Sequence, residues 1–271
     1  ILFRTIFRYT LFIFNFVNPF ALPNRLTNDQ LSKVERHYDR CQVDLKTKYD
    51  LYNLKIEGVR IGDLIYDSYL RDNNEATVDI TDTRLDTLLR HAITIFVFWM
   101  DLADQEGSHA VISTHTCNLV GIPARVFVAR SKKAFQVNHD SIYQLKHDRL
   151  WAYTEYYDFP EIAQSISQQQ LEKMKGYSSD RLEQRFAGVV GVDMSYSTKS
   201  AYGKIQENVD RVISKSDNLK VLVAAHCLFD APNGYGDNLF PDFYDWLTFL
   251  KKASLETPYD WYLKTHPDFL P

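Results

Sequence analysis

The chain has 271 residues, 45% of them hydrophobic and 24% charged, with a formal net charge of −4. That make-up belongs to a globular protein long enough for one large domain or two small ones, and the acidic balance excludes the basic footprint of a nucleic-acid-binding protein, so no nucleic-acid partner is expected. Aromatic residues reach 14%, which suits a thick core and equally a sugar-facing or membrane-facing surface. The three cysteines, Cys41, Cys117 and Cys227, are widely spaced and form no CxxC or Cys/His cluster. The sequence therefore predicts reduced thiols in a cytoplasmic protein, and no zinc. Cys227 reads as a small buried hydrophobe rather than as a nucleophile.

Residues 1–24 are strongly apolar, interrupted by Arg4 and Arg8. The uninterrupted apolar run falls well short of the roughly 20 residues that a spanning helix needs, and no small-residue cleavage site marks a signal peptide. Arg4 and Arg8 would share one helical face. Two readings stand, an interfacial helix in peripheral contact with a membrane and a helix packed on the body of the protein.

Thr27, Asn28 and Asp29 predict the start of a helix that runs to about residue 45 with a mostly solvated face. Residues 49–57 read as irregular or extended. Arg60, Gly62 and Asp63 form a loop that starts a short helix over 64–70, and its glycines permit close backbone approach. Asp63 reads either as an N-cap or as an acceptor-site group. A short strand is predicted at 77–80. Asp82 then caps a long helix over 85–105, with Leu88, Leu89, Ala92, Ile95, Phe96 and Trp99 at helical spacing. Residues 110–114 predict a buried strand, and His115 just past its end is either a cleft residue or a satisfied core histidine. The next strand is predicted at 125–129, where Arg125 and Arg130 would carry positive potential into a cleft. Short strands at 134–137 and 141–145 precede helices at 160–175 and 180–186. Residues 188–203 read as a long loop. Within it Ser197 and Lys199 suit an anion or a sugar, and equally a solvated turn. A helix at 204–214 leads to the C-terminal segment.

That segment carries the sharpest pattern. A strand at 220–226, a helix at 239–254 and a strand at 260–266 make a βαβ unit, and strands alternating with helices predict an α/β fold with a mainly parallel sheet. A lone βαβ unit cannot bury both faces of its sheet, and the chain opens on Ile1, so the sequence reads as a fragment of a longer protein. In open α/β sheets ligands bind just beyond the carboxyl ends of the strands. His226 and Asp230 follow the first strand, and Lys264, His266 and Pro267 end the second. Pro267 cannot continue a central strand. It fixes the direction in which Lys264 and His266 project. A cation and an imidazole there suit a phosphate or pyrophosphate through charge-assisted hydrogen bonds; the alternative is a plain strand-ending turn. Asp230 suits a general base or a ligand for a sugar hydroxyl; the alternative is a turn cap before Pro232. Asp242 and Asp245 lie in the acidic first turn of the helix and read as structural. No Gly-x-Ser-x-Gly elbow, P-loop, HExxH or EF-hand pattern occurs, and no metal is expected.

Taken together, residues 192–202, 226–232, 239–246 and 259–267 resemble bacterial capsular or surface polysaccharide biosynthesis proteins, a group related to Kdo-transferase-type capsule enzymes. Residues 61–67 and 121–125 are similar to that group's first domain. The resemblance runs over residues 50–271 and is most specific toward the C-terminus. It implies a GT-B-like fold: a Rossmann-like acceptor-side domain at 25–203, then a linker helix and the first βαβ unit of a truncated Rossmann-like nucleotide-sugar-binding domain at 204–271. It implies transfer of a sugar from a nucleotide-sugar donor to a glycan or lipid-linked glycan acceptor, in the cytoplasm at the inner face of the membrane, with no metal or other cofactor. The role it implies for His266 is contact with the donor's phosphate, with Lys264 beside it and Pro267 shaping the turn. Asp63 is then the acceptor's general base, with Asp230 as a second acidic residue. Arg60, His115, Arg125, His226, Ser197 and Lys199 are further cleft candidates, and positive groups among them would stabilise the departing nucleotide. In that group the chain continues past the Lys-x-His-Pro strand and builds most of the donor pocket, so these 271 residues alone are expected to be inactive. The rival readings are a non-catalytic scaffold of a polysaccharide assembly complex and a nucleotide-sugar 2-epimerase-like enzyme, which needs no acceptor.

Overall fold

The structure, a computed structural model, describes residues 26–137, 142–151, 157–192, 200, 202, 213–236 and 238–266. The apolar segment at 1–24, Ser197, Lys199, Pro267 and residues 204–212 of the expected linker helix lie outside the described residues. The described chain is mixed α/β with small open sheets. It divides into two compact units, one holding the residues up to 151 together with those from 220 onward, the other the residues between 155 and 219. This division differs from the boundary expected at 203–204, because the C-terminal βαβ segment packs with the first unit.

In the first unit, helix α1 (Asn28–Asp44) opens on a capping box in which Thr27 Oγ1 accepts from Gln30 N and Gln30 Oε1 accepts from Thr27 N. Helix α2 (Lys48–Tyr52) repeats the device with Thr47 and Asp50, and this is why a helical turn forms where irregular chain was expected. Strands β1 (Lys55–Ile56) and β2 (Val59–Arg60) pair as a hairpin. Its two turn residues, Glu57 and Gly58, both have positive φ, as a two-residue hairpin that follows strand twist requires. Helix α3 (Gly62–Asn73) follows at once. Gly62 is obligatory there, since a Cβ would lie 1.9 Å from Leu51 O; the close approach is made by the protein's own backbone.

Residues 77–80 form no strand. Asp79 instead accepts from Thr81 N and Oγ1, a local turn that competes with extended pairing. Asp82 then caps helix α4 (Thr83–Asp104) by accepting from Arg84 N. Leu85, Leu89, Ala92, Ile93, Phe96, Val97, Met100 and Ala103 make its buried face.

Strand β3 (Ala110–Ser113) pairs parallel with β4 (Lys133–Val137), and β5 (Ile142–Leu145) returns antiparallel to β4. The crossover between β3 and β4 is helix α5 (Ile122–Ala129). The strand expected at 125–129 is thus corrected to a helix. A short apolar run carries no decisive period, and Pro123 at the first turn favours helix. The sheet is three-stranded and mixed rather than mainly parallel.

Strands β6 (Lys220–Ala224) and β7 (Asp260–Lys264) pair parallel across the crossover helix α8 (Phe243–Leu255), so the expected βαβ unit is present. Neither strand buries a residue, and Leu222 and Leu263 are exposed. By the strand register these two leucines lie on opposite faces of the two-stranded sheet.

Asp242 ties this unit to the helical body. It caps α8 by accepting from Asp245 N at 2.8 Å, and it also accepts from the Tyr66 hydroxyl, from Thr77 Oγ1 at 2.6 Å and from Lys48 Nζ at 3.1 Å. Lys48 Nζ and Tyr49 Oη both reach Asp245 at 2.7 Å. Asp242 is 1% exposed, with its acceptor capacity filled.

The second unit contains α6 (Phe159–Ser165) and α7 (Gln168–Phe186). The break between them falls at Ile166 and Ser167, earlier than expected, because Ser167 and Gln170 form a capping box. Gly176 sits inside the continuous helix. No helix among the described residues is long and apolar enough to cross a membrane.

Candidate functional site

Three ionisable residues four apart, Asp63, Asp67 and Arg71, line one face of α3. Each meets a different element. Asp63 receives a bidentate clamp from Arg125 of α5, with Arg125 Nη2 to Asp63 Oδ2 at 2.7 Å, and both residues are buried. Arg125 Nη1 also donates to Arg60 O at 2.9 Å, while the Arg60 guanidinium lies 4.7 Å from the centre of the Tyr52 ring. Asp67, also buried, accepts from Asn233 N at 3.2 Å and from Asn233 Nδ2 at 2.7 Å. Burial pushes its carboxyl up to about 8; nearby Asp63 adds to the shift, and the Asn233 donors oppose it without overcoming it. Arg71 Nη1 donates to Asp230 Oδ1 at 2.8 Å, and about half of each side chain is open to solvent. The face therefore runs from an interior ion pair to an accessible one.

The loops that follow β3 and β6 meet at the Arg71 end. Past β3, His115 Nδ1 accepts from Thr116 N at 3.1 Å and Cys117 N at 3.4 Å, and Cys117 Sγ lies 3.0 Å from it. Burial holds His115 below its ordinary value, with Arg71 reinforcing the effect and Asp230 opposing it. Burial also pushes the Cys117 thiol up to about 11, so little thiolate forms near neutral pH. Past β6, a Cβ built on Gly234 would sit 3.7 Å from Cys117 Cβ, so the two loops are in contact. Both leave the carboxyl ends of parallel strands, where α/β sheets place their ligands.

A second focus lies at the ends of β6 and β7 themselves. The rings of His226 and His266 stand 5.5 Å apart between centroids, and His226 stacks on Phe243, the first residue of α8, at 5.8 Å. His226 Nδ1 lies 3.2 Å from Cys227 O, which can only accept, so the ring donates there. Lys264 is exposed, and its amine donates to Thr265 O at 3.3 Å.

The sequence-predicted residues thus separate into groups. His115 and Asp230 lie on the two loops that touch at Cys117 and Gly234, and His226 and His266 come together, with Lys264 at the end of β7. Asp63 and Arg125 are paired in the interior. A general base must reach the hydroxyl it deprotonates, and Asp63, 1% exposed with both oxygens held by Arg125, has a structural place instead. Arg60 is half-buried against Tyr52. Sequence reasoning missed Arg71, Asp67 and Asn233. The four-residue spacing from Asp63 was the available signal for the first two. Among the described residues, no group of three or more His, Cys, Asp or Glu side chains is arranged to hold a metal ion. No protein-family model, curated protein or solved structure matches the chain.

Proposed function

We propose that the chain is part of a glycosyltransferase of the GT-B type, which moves a sugar from a nucleotide-sugar donor to a growing capsular or surface polysaccharide at the cytoplasmic face of the membrane. The observation that carries this reading is the pair of imidazoles, His226 and His266, side by side at the carboxyl ends of the parallel strands β6 and β7. When a nucleotide-sugar bond breaks, negative charge develops on the departing diphosphate. Donors that bind that charge more strongly than they bind the intact donor lower the barrier. His226 already donates through Nδ1 to Cys227 O, so its Nε2 donates to a phosphate only in the imidazolium form. Lys264 adds a flexible cation at the same strand end.

The test is a titration of the chain with cytidine, uridine and guanosine diphosphates, followed through the side-chain NMR signals of its histidines. The reading predicts that at least one nucleotide shifts His226 and His266 together, and that His266→Gln removes the response. If no nucleotide shifts either ring, the donor-phosphate role of His226 and His266 fails; failure of the full-length protein to bind any nucleotide favours a scaffold role.

A further inference from the structure

Strand β7 is an edge strand. Among the described residues it pairs with β6 and has no neighbour on its other side. Ala225 N donates to Lys264 O at 2.9 Å, so the main-chain groups of Lys264 face β6. Main-chain groups alternate sides along a strand, and those of Tyr262 and Asp260 face β6 as well. The N–H and C=O of Trp261 and Leu263 then face the unpaired edge. The strand contains no proline and no bulge, and Leu263 is 55% exposed. An unbroken, partly apolar edge of this kind is a template for another strand.

We propose that β7 pairs antiparallel with β7 of a second copy of this chain, about a twofold axis at Tyr262, and so joins the two copies' sheets into one. The inference does not rest on the sugar-transfer reading.

The sequence of the strand selects the partner. Laid against itself in the opposite direction, Asp260-Trp-Tyr-Leu-Lys264 sets Asp260 opposite Lys264, Trp261 opposite Leu263 and Tyr262 opposite Tyr262. Symmetry repeats each unlike pair. Trp261 and Leu263 own the main-chain groups that face the edge, so they make the hydrogen-bonded pairs. Asp260 and Lys264 fall at non-hydrogen-bonded positions, where side chains approach most closely and opposite charges stabilise the pairing. A parallel pairing would forfeit this match and would be heterologous, without closure. Strand β6 offers no equivalent: centred on Leu222, it sets Lys220 opposite Ala224.

The helical layer agrees. Trp261 and Leu263 share a sheet face with Val223. A groove of about 240 Å³ lies between that face and α8, lined by Val223, Trp261 and Leu263 and by Leu247, Leu250 and Ser254 of the helix. Each α8 therefore covers its own strand pair. With strands about 4.8 Å apart, the α8 helices of the two copies come to lie about 10 Å apart, the spacing of packed helices. Asp260 of the second copy meets Lys264, so each copy lends a carboxylate to the other's strand end.

The experiment follows self-association of the whole chain by analytical ultracentrifugation and by amide hydrogen exchange. As concentration rises through the micromolar range, the mass moves from 31.6 kDa toward twice that value. Over the same range, exchange at Trp261 and Leu263 slows about tenfold or more. Tyr262 and Lys264, whose N–H groups already face β6, change far less. Asp260→Lys and Lys264→Asp each set like charges opposite one another at both ends of the pairing, and each weakens association about tenfold or more. Mixing the two variants creates opposite-charge pairs at both ends and restores the dimer. The exchange comparison on the unmodified chain stands without the variants. A mass that stays at 31.6 kDa at every concentration overturns the proposal. So does association that leaves exchange at Trp261 and Leu263 unchanged, and so do folded variants that associate as the unmodified chain does or that fail to recover on mixing.

Discussion

Asn233 donates to Asp67 twice, through its backbone N–H and its side-chain amide, and so joins the loop after β6 to the middle of α3. The same amide also donates to Pro241 O at 3.2 Å. Both residues are buried. This contact sets where Asp230 and the start of α8 can lie relative to the helical body.

The contact makes stability depend on pH. The Asp67 carboxyl titrates at 3.8 in the unfolded chain and at about 8 in the folded one, raised mainly by burial. Between those values the folded protein holds a proton that the unfolded chain has released. Stability from this group is therefore fully present below pH 3.8 and is lost as pH rises through about 8, at up to about 1.4 kcal/mol per pH unit. Asp67→Asn copies the neutral form and should flatten that part of the profile. Urea midpoints of both proteins at intervals from pH 5 to 9 check this; parallel profiles would show that Asp67 does not titrate there.

Arg125 and Asp63 should behave as a structural unit. Arg125→Met leaves a buried carboxylate without its partner, which costs about 3–5 kcal/mol. Chemical denaturation measures it, and a loss below about 1 kcal/mol would mean that Asp63 is solvated. Restoring neutrality with Asp63→Asn in the same chain should recover part of the loss, because the double variant no longer buries a lone charge.

Asp242→Ala removes the cap of α8, worth about 0.5–2 kcal/mol, and strands the Tyr66 hydroxyl and Lys48 as well. The effect should be local. Amide hydrogen exchange in β6, α8 and β7 should accelerate far more than in α4, which makes no hydrogen bond to Asp242 among those described. Uniform acceleration would contradict the role of Asp242 as the tie between the two parts of the first unit.

The βαβ unit, the solvated α1 and the capped α4 were legible because their signals are local: a cap residue, a helical period, two apolar runs either side of an amphipathic one. The helix at 122–129 was not legible. Ile-Pro-Ala-Arg-Val-Phe-Val-Ala is apolar on nearly every side, and burial removes the period that would separate helix from strand. The site was legible in half. Strand-end positions put His115, His226, Asp230 and His266 in view. The partners that decide their chemistry come from far along the chain: Arg71 lies 159 residues from Asp230, and Asn233 lies 166 from Asp67. Asp63 shows the opposite failure. Its place at a glycine-flanked helix start suggested a cleft, and only the fold reveals that Arg125 arrives from α5 to close over it.

The central claim is that the two imidazoles at the ends of β6 and β7 receive a diphosphate. The direct measurement is calorimetric titration of the chain with nucleoside diphosphates. Binding is expected that is weakened about tenfold or more by His226→Gln or His266→Gln. Binding that is indifferent to both substitutions would contradict it.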